Sequence, residues 1–514
     1  MLLEAVWIGF AFSLGLIVRL VGLPPLIGYL AAGFVITATG SELDLPKEGN
    51  AIIAHVAHLG VLLLLFTVGL KLNMRSLTKA EVLGGSLAHF SVSALFYAPV
   101  IYLAFEPDWP HALMLGAALA FSSTVLAAKV LENKREIRAF HGRVAIGILV
   151  MQDLIAMALL SLSQGTTPSA WALLVLLVPL LRPVLYKLMD LMGHDDLQIL
   201  FGVMLAVVVG GSGFHLLGLS SELGALVFGA LLAGHSRAGE LSKTLWALKE
   251  FFLVGFFLQI GLGGMPDLQA WWFAGLMTLL LPVKALLFFA LLVLFKLRAR
   301  SAFLSGLALS NYSEFALIVV AAAMPQFLIP MALTVALSFV MSAPLNRFAH
   351  PLYERLAQRL IPFERDSHHP DEQPVSLGDA EVLIMGMGRT GSAAYEYLEH
   401  KCHLVALDSD PAKVAQHFEQ GKNVLFADAE DQVFWQGVKL DCVKAVVLCL
   451  NDVEAKVIAT RKLRQAGFAG LIVSHSMHKD EAQQIMAAGA DHTYLTMSEA
   501  GLGLAERVRQ HITL

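Results

Sequence analysis

The chain has 514 residues, of which 57% are hydrophobic and 15% charged, with a mean hydropathy of +0.67. Soluble domains carry about 25% charged residues, so this composition excludes an ordinary soluble enzyme and implies many membrane crossings. The net charge of −5 offers no basic face for nucleic acid, and Cys402, Cys442 and Cys449 lack CxxC or metal-ligand spacing. They read as reduced cytosolic thiols.

The first segment, MLLEAVWIGFAFSLGLIV, has an acid where a signal peptide has a basic region, and no small-residue cleavage site. It is expected to be a retained span. Thirteen apolar segments follow from it, near 3–20, 24–39, 51–70, 82–105, 111–131, 141–163, 169–189, 197–217, 220–235, 249–264, 268–296, 302–322 and 327–349. A straight span needs about 20 residues, and the short second or ninth segment can fuse with a neighbour to give twelve. Nearly all Lys and Arg follow odd-numbered segments: Arg19, then Lys71, Arg75 and Lys79, then Lys129, Lys134, Arg135, Arg138 and Arg143. Arg182 and Lys187, then Arg237, Lys243 and Lys249, then Lys296, Arg298 and Arg300, and finally Arg347 continue the pattern. The positive-inside rule then puts the N-terminus outside and the C-terminus in the cytoplasm.

Three full charges lie deep in these segments: Asp153 in GRVAIGILVMQDLIAMALL, Lys284 in LLLPVKALLFF and Glu314 in SNYSEFALIV. A carboxylate at mid-membrane costs roughly 2.5–3.5 kcal/mol on insertion scales and usually faces an ion pathway. Segments five and twelve are each interrupted by small polar residues, Ser122-Ser123-Thr124 and Ser310-Asn311-Tyr312-Ser313. Paired interruptions at corresponding places point to inverted repeats with a transporter ion site between them. The same hydroxyls also bond back to their own helix or join helices. Gln152 and Asp153 set a neutral oxygen beside a titratable one, where a proton and an alkali cation can compete. Lys284 is a candidate cationic partner for Asp153, or half of a fixed salt bridge. Glu314 either compensates helix ends or lines the ion path. His89, His215 and Glu222 are expected to be packing or interfacial residues.

After residue 350 the character changes. Residues 351–378 read as a polar linker and 379–514 as a small α/β domain, in which AEVLIMGMG, RTGSAAYEYLEHK and CHLVALDSD give strand, helix, strand. Gly386-Met387-Gly388-Arg389-Thr390-Gly391 is a GxGxxG between strand and helix, and Asp408 closes the next strand about 20 residues on. That context predicts a dinucleotide fold, with phosphate at the helix N-terminus and Asp408 on ribose hydroxyls rather than a 2′-phosphate. No second substrate domain accompanies it, so sensing is favoured over hydride transfer, and no enzyme activity is expected.

Taken together, LGLPPLIGYLAAGFVI, VLLLLFTVGLKLNMRSL, GRVAIGILVMQD and SNYSEFALIV resemble the monovalent cation:proton antiporter-2 family, in particular its Kef-type members. GMGRTG, LDSD at 407–410, ADA at 427–429 and GAD at 489–491 are similar to the regulator-of-potassium-conductance nucleotide-binding domain. The resemblance implies a polytopic α-helical exchanger fold with crossing broken helices, plus a C-terminal Rossmann-like domain. It implies a homodimer of membrane and soluble parts in the bacterial inner membrane, surrounded by lipid and working by an elevator-type alternation. Transported potassium (or sodium) and proton would meet at Asp153 and Gln152, with Ser122, Ser123, Thr124 and Asn311 at the helix crossing and Lys284 modulatory. NADH, NAD or AMP would be held by Gly386, Met387, Gly388, Arg389, Thr390, Gly391, Asp408, Ser409, Asp428 and Ala429. A single acidic ligand favours one cation per proton; proton release by Lys284 would make exchange electrogenic. The family's glutathione-gated members carry an acidic loop after the ninth span. Here it reads HSRAGELSKTLWALKE, with Lys243 in place of an acid, which argues against that gating. The expected activity is therefore potassium:proton antiport under nucleotide control. The alternatives are a sodium:proton antiporter and a nucleotide-gated cation channel, which would ordinarily show a carbonyl-lined filter.

Overall fold

The computed structural model describes residues 2–39, 50–72, 77–134, 136–137, 139–163, 177–192, 196–365, 369, 376–427, 434–435, 438–450 and 452–511. The chain divides into two compact units. Met1–Leu131 and Val144–Ser367 form one; Glu132–Arg143 and His368–Leu514 form the other.

The first unit is helical. Its early helices are α1 (Leu2–Leu20), α2 (Leu26–Thr39), α3 (Asn50–Leu70), α4 (Ala80–Phe105), α5 (Trp109–Ala120), α6 (Thr124–Asn133), α7 (Phe140–Ser163) and α8 (Arg182–Leu191). The later ones are α9 (Asp196–Val203), α10 (Gly213–Leu216), α11 (Ser221–Leu232), α12 (Ala238–Leu262), α13 (Leu268–Leu279), α14 (Leu281–Leu294), α15 (Ala299–Ala308), α16 (Glu314–Ala323), α17 (Leu328–Arg347) and α18 (Ala349–Leu360). Among the described residues, eight stretches are long and apolar enough to cross a membrane, and four shorter apolar helices accompany them. Large apolar side chains such as Ile8, Phe12, Leu103, Leu216 and Leu279 are exposed on the outer faces, as helices in contact with lipid require.

The helices depart from the expected segments in four places. Residues 268–296 form two helices joined at Leu280, because Pro282 lacks the N–H that a continuous helix needs. Met204–Ser212, within the eighth segment, is π-helical. Helix α12 begins at Ala238, so Lys243 and Lys249 lie on it rather than in a loop, and Lys249 is buried. The expected linker opens on α18 instead of coil. At the centre, α3 packs against α11 and α12. Gly69 and Gly229 permit the α3–α11 approach, since a Cβ on Gly229 would lie 2.2 Å from the Phe66 carbonyl oxygen.

The second unit is a parallel six-stranded sheet in the order β3-β2-β1-β4-β5-β6. The strands are β1 (Val382–Met385), β2 (Leu404–Asp408), β3 (Val424–Phe426), β4 (Ala445–Leu448), β5 (Leu471–Ser476) and β6 (His492–Leu495). Crossover helices α19 (Arg389–Leu398), α20 (Pro411–Glu419), α21 (Val453–Gln465) and α22 (Lys479–Ala487) link them, and α23 (Thr496–His511) ends the described chain. Strand β1 pairs with both β2 and β4, so the order reverses beside it. That reversal is the switch point where doubly wound sheets bind ligands.

Candidate functional site

A helix that stops inside a membrane leaves carbonyls and N–H groups without partners, and the hydrocarbon offers none. Two helices stop here. Helix α5 ends at Phe121, which turns extended at φ −73° and ψ 146°, and α6 resumes at Thr124. Helix α15 ends near Leu309, and α16 resumes at Glu314 under the cap of Ser313, whose hydroxyl accepts the Phe315 N–H at 3.1 Å.

The two breaks are tied to each other. The Ser122 hydroxyl donates to the Leu309 carbonyl at 2.7 Å, and the Ser123 N–H donates to Asn311 Oδ1 at 2.6 Å. Asn311 Nδ2 returns to the Ala308 carbonyl at 2.9 Å. From α7, Gln152 Oε1 accepts the Ser122 N–H at 2.9 Å, while its Nε2 donates to the Ala120 carbonyl at 3.3 Å. Both ends of the Gln152 amide thus brace the first break, a use that the expectation of an ion ligand did not include.

Lys284, on α14 and 1% exposed, closes the carbonyl side of both breaks. Its Nζ donates to Leu119 at 3.1 Å, Phe121 at 2.7 Å and Asn311 at 2.7 Å. An ammonium has three donors, so all are engaged with main-chain oxygens and none with Asp153. The expected Lys284–Asp153 pairing is absent. The reason is electrostatic: helix C-terminal carbonyls carry partial negative charge and attract a cation.

Asp153 lies on the opposite, N-terminal side. It is 2% exposed, and the Thr124 hydroxyl, on the first residue of α6, donates to Oδ2 at 3.2 Å and Oδ1 at 3.3 Å. These bonds are long for O–H···O contacts. Glu314, 3% exposed on the first residue of α16, lies within electrostatic reach of Asp153. Lys71 and Lys249 also reach Asp153 electrostatically, but the carboxylate forms no ion pair among the described residues. The crossing therefore separates charge, with acids at the half-helix N-termini and the lysine at the C-termini.

Several residues of this network escaped the sequence reading. Tyr312 donates to the Met277 carbonyl at 2.6 Å, so the Tyr97 hydroxyl donates to Tyr312 at 2.9 Å. Lys284 Nζ sits 4.9 Å from the Tyr312 ring centre. His89, which the sequence already marks as a packing or interfacial residue, is fully buried, stacked on Phe288 and bonded to Ser93. On α17, Ser338 accepts the Tyr312 N–H at 3.1 Å, Ser342 donates to the Ser310 carbonyl, and Asn346 donates to the Leu307 carbonyl at 3.1 Å. The i, i+4, i+8 spacing of Ser338, Ser342 and Asn346 was the available signal.

In the sheet unit the glycine turn is as expected. Gly386 has φ +99°, a conformation that favours glycine. A Cβ on Gly391 would lie 1.8 Å from the Gly386 carbonyl oxygen, whereas nothing lies within 4 Å of one on Gly388. Gly388 therefore leaves the space that a ligand's close approach needs. Asp408 is buried, its Oδ2 accepting the Met387 N–H at 2.7 Å and its Oδ1 the Asp410 N–H at 2.8 Å. Each oxygen keeps a lone pair for a ribose hydroxyl. His417, buried on α20, places Nε2 3.3 Å from the Met387 carbonyl oxygen. Arg389 and Thr390 are exposed at the α19 N-terminus, and Ser409 is half-buried beside Asp408. Asp428 and Ala429 lie outside the described residues. Beneath the turn, burial pushes the Cys449 thiol up to about 11. Among the described residues, no group of three His, Cys, Asp or Glu side chains is placed to hold a metal ion.

A family model described as sodium/hydrogen exchanger, transmembrane, matches residues 8–345, and a TrkA-N domain model matches residues 382–496. The chain belongs to the sodium/hydrogen exchanger family. The pairing of that membrane domain with a TrkA-N domain matches a Kef-type antiporter, so this is a multi-pass cation:proton exchanger with a TrkA-N regulatory domain. Among solved structures, the sodium proton antiporter MjNhaP1 from Methanocaldococcus jannaschii is 14% identical, over 70% of this chain and 97% of its own, with a TM-score of 0.47. The TrkA-N domain of inner membrane protein ybaL from Escherichia coli is 22% identical over 25% of this chain and 96% of its own, with a TM-score of 0.23. The NAD(P)-binding domain of an exopolyphosphatase-related protein from Archaeoglobus fulgidus is 18% identical over 26% of this chain and 98% of its own, with a TM-score of 0.24.

Proposed function

We propose that the protein exchanges potassium for protons by competition at Asp153, under control of an adenine nucleotide bound to the TrkA-N domain. One observation carries the transport reading: Asp153 is buried on the N-terminal side of the crossing, with the Thr124 hydroxyl as its one hydrogen-bond partner and no ion pair among the described residues. A charge so placed is stable with a cation against it, and without one the carboxyl group takes a proton. Cation and proton then occupy it in turn, and alternating exposure to the two sides yields antiport. Thr124 is the neighbouring oxygen. Gln152, Ser122, Ser123 and Asn311 hold the crossing in shape, and Lys284 keeps its charge on the carbonyl ends. Potassium is favoured over sodium by the resemblance to Kef-type proteins.

The regulatory reading rests on the turn at Gly386–Gly391 and on Asp408. Their geometry suits a nucleotide whose phosphate meets the α19 N-terminus and whose ribose meets Asp408. NAD, NADH and AMP share those groups. The resemblance further supports a homodimer in a bacterial inner membrane, with the nucleotide domain in the cytoplasm.

Sealed vesicles held at zero voltage test the reading. A potassium or sodium gradient that drives proton movement supports exchange. Cation flux with no coupled proton movement would instead favour a nucleotide-gated channel.

A further inference from the structure

Glu314 is the second acid of the crossing, and its surroundings differ from those of a structural carboxylate. It is 3% exposed, and among the described residues neither oxygen reaches full hydrogen-bond geometry with a donor. The donors nearest to it are the Ser123 hydroxyl, whose oxygen accepts the Leu126 N–H at 3.2 Å while its hydrogen remains to donate, and its own main-chain N–H. Among the described residues Glu314 forms no ion pair. The charged groups that reach it are Lys249 and Glu250 on α12, which pair with each other at 3.0 Å, and Asp153 on α7. Helices α5 and α16, and α16 and α17, pack together. Helix α5 carries one titratable side chain, His111 in its first turn, and α17 one, Arg347 at its last residue.

An ionised carboxylate in such a place is buried with only a hydroxyl and its own main-chain N–H near enough to offset its charge among the described residues. The dipole of α16 offsets part of that cost, but two neighbouring buried carboxylates cannot both ionise without a cation between or beside them. Lys284 does not serve, because its three N–H groups are spent on carbonyls, and Lys249, which reaches both acids, is already paired with Glu250 at 3.0 Å. We infer that Glu314 is a second proton-carrying group of the ion site, losing its proton when a cation reaches Asp153. This rests on the exchange reading and deepens it: more than one proton moves per monovalent cation. Exchange then carries net charge, in place of the electroneutral exchange expected from a lone acid. The balance is direct, since each carboxyl group that ionises releases one proton and the cation neutralises one of the two charges created.

The test is proton release from the purified full-length protein in weakly buffered detergent, read with an indicator dye as potassium or sodium chloride is added. Choline chloride serves as the control, and release is measured across a pH series for wild type, Glu314→Gln and Asp153→Asn. Maximal release from wild type about twice that of Glu314→Gln supports the inference. Equal release from these two across the whole series overturns it while leaving exchange at Asp153 intact. No cation-dependent release from wild type overturns the exchange reading and this inference together. If Glu314→Gln does not fold, Glu314→Asp replaces it. Its withdrawn carboxylate should shift the pH of half-maximal release, and an unshifted curve would overturn the inference.

Discussion

Lys284 and Asn311 are joined by a 2.7 Å hydrogen bond from Nζ to the Asn311 main-chain oxygen, and the same ammonium holds Leu119 and Phe121 across the other broken helix. The lysine is thereby a clamp between two half-helix C-termini. Its ammonium faces main-chain oxygens, while Asp153 and Glu314 lie on the N-terminal side of the crossing.

Lys284→Met keeps length and apolar bulk but leaves three buried carbonyls without donors, each unmet group costing about 1–3 kcal/mol. The variant should unfold at a distinctly lower temperature in detergent, followed by tryptophan fluorescence or by loss of the monodisperse peak after heating. An unchanged melting temperature would mean that the carbonyls do not depend on this side chain.

Asp408→Asn keeps one acceptor oxygen but turns an NH2 group toward either the Met387 or the Asp410 N–H, both of which now donate to the carboxylate. Affinity for NADH or AMP should fall by roughly tenfold or more, the loss of about one charge-assisted hydrogen bond. Calorimetry on the full-length protein measures it, and unaltered affinity would remove Asp408 from the ribose site.

Gly391→Ala places a methyl group where the Gly386 carbonyl oxygen now lies, 1.8 Å away. The turn must open, so nucleotide binding should be lost. Gly388→Ala, with no atom within 4 Å of its new Cβ, should fold normally and weaken binding only through contact with the ligand. Equal behaviour of the two variants would contradict the packing argument.

The thiols should separate by accessibility. Cys442 is exposed and Cys449 buried, and burial holds the Cys449 thiol protonated up to about 11 against an ordinary 9.0. At pH 8 a maleimide should label Cys442 first and Cys449 last, read by mass spectrometry of peptides. The raised value also fixes a sign. Its stabilising contribution is complete below pH 9 and is lost as pH rises from about 9 to about 11, where the unfolded thiol ionises first.

Hydropathy and local motifs made much of this legible before any coordinates. Asp153 stood out because charge is rare in apolar helices, and the two broken helices because hydroxyl clusters interrupted both. The glycine turn and Asp408 were readable because strand, turn and helix are contiguous in sequence. The partners of Lys284 were not, since two of its three acceptors are main-chain oxygens 163 and 165 positions away. Backbone carbonyls have no residue identity to read. Tyr97 and Tyr312 meet across 215 positions, and nothing local to either announces the other. The split at Leu280 was readable from Pro282 but was outweighed by the uninterrupted apolar run.

Cation-driven proton movement in proteoliposomes, measured with a lumenal pH dye for wild type and Asp153→Asn, with potassium and sodium tested separately, bears most directly on the ion site. The expected result is cation-dependent proton movement in wild type and its loss in a folded, monodisperse Asp153→Asn protein. Undiminished exchange in that variant would contradict competition at Asp153 and move the ion site elsewhere.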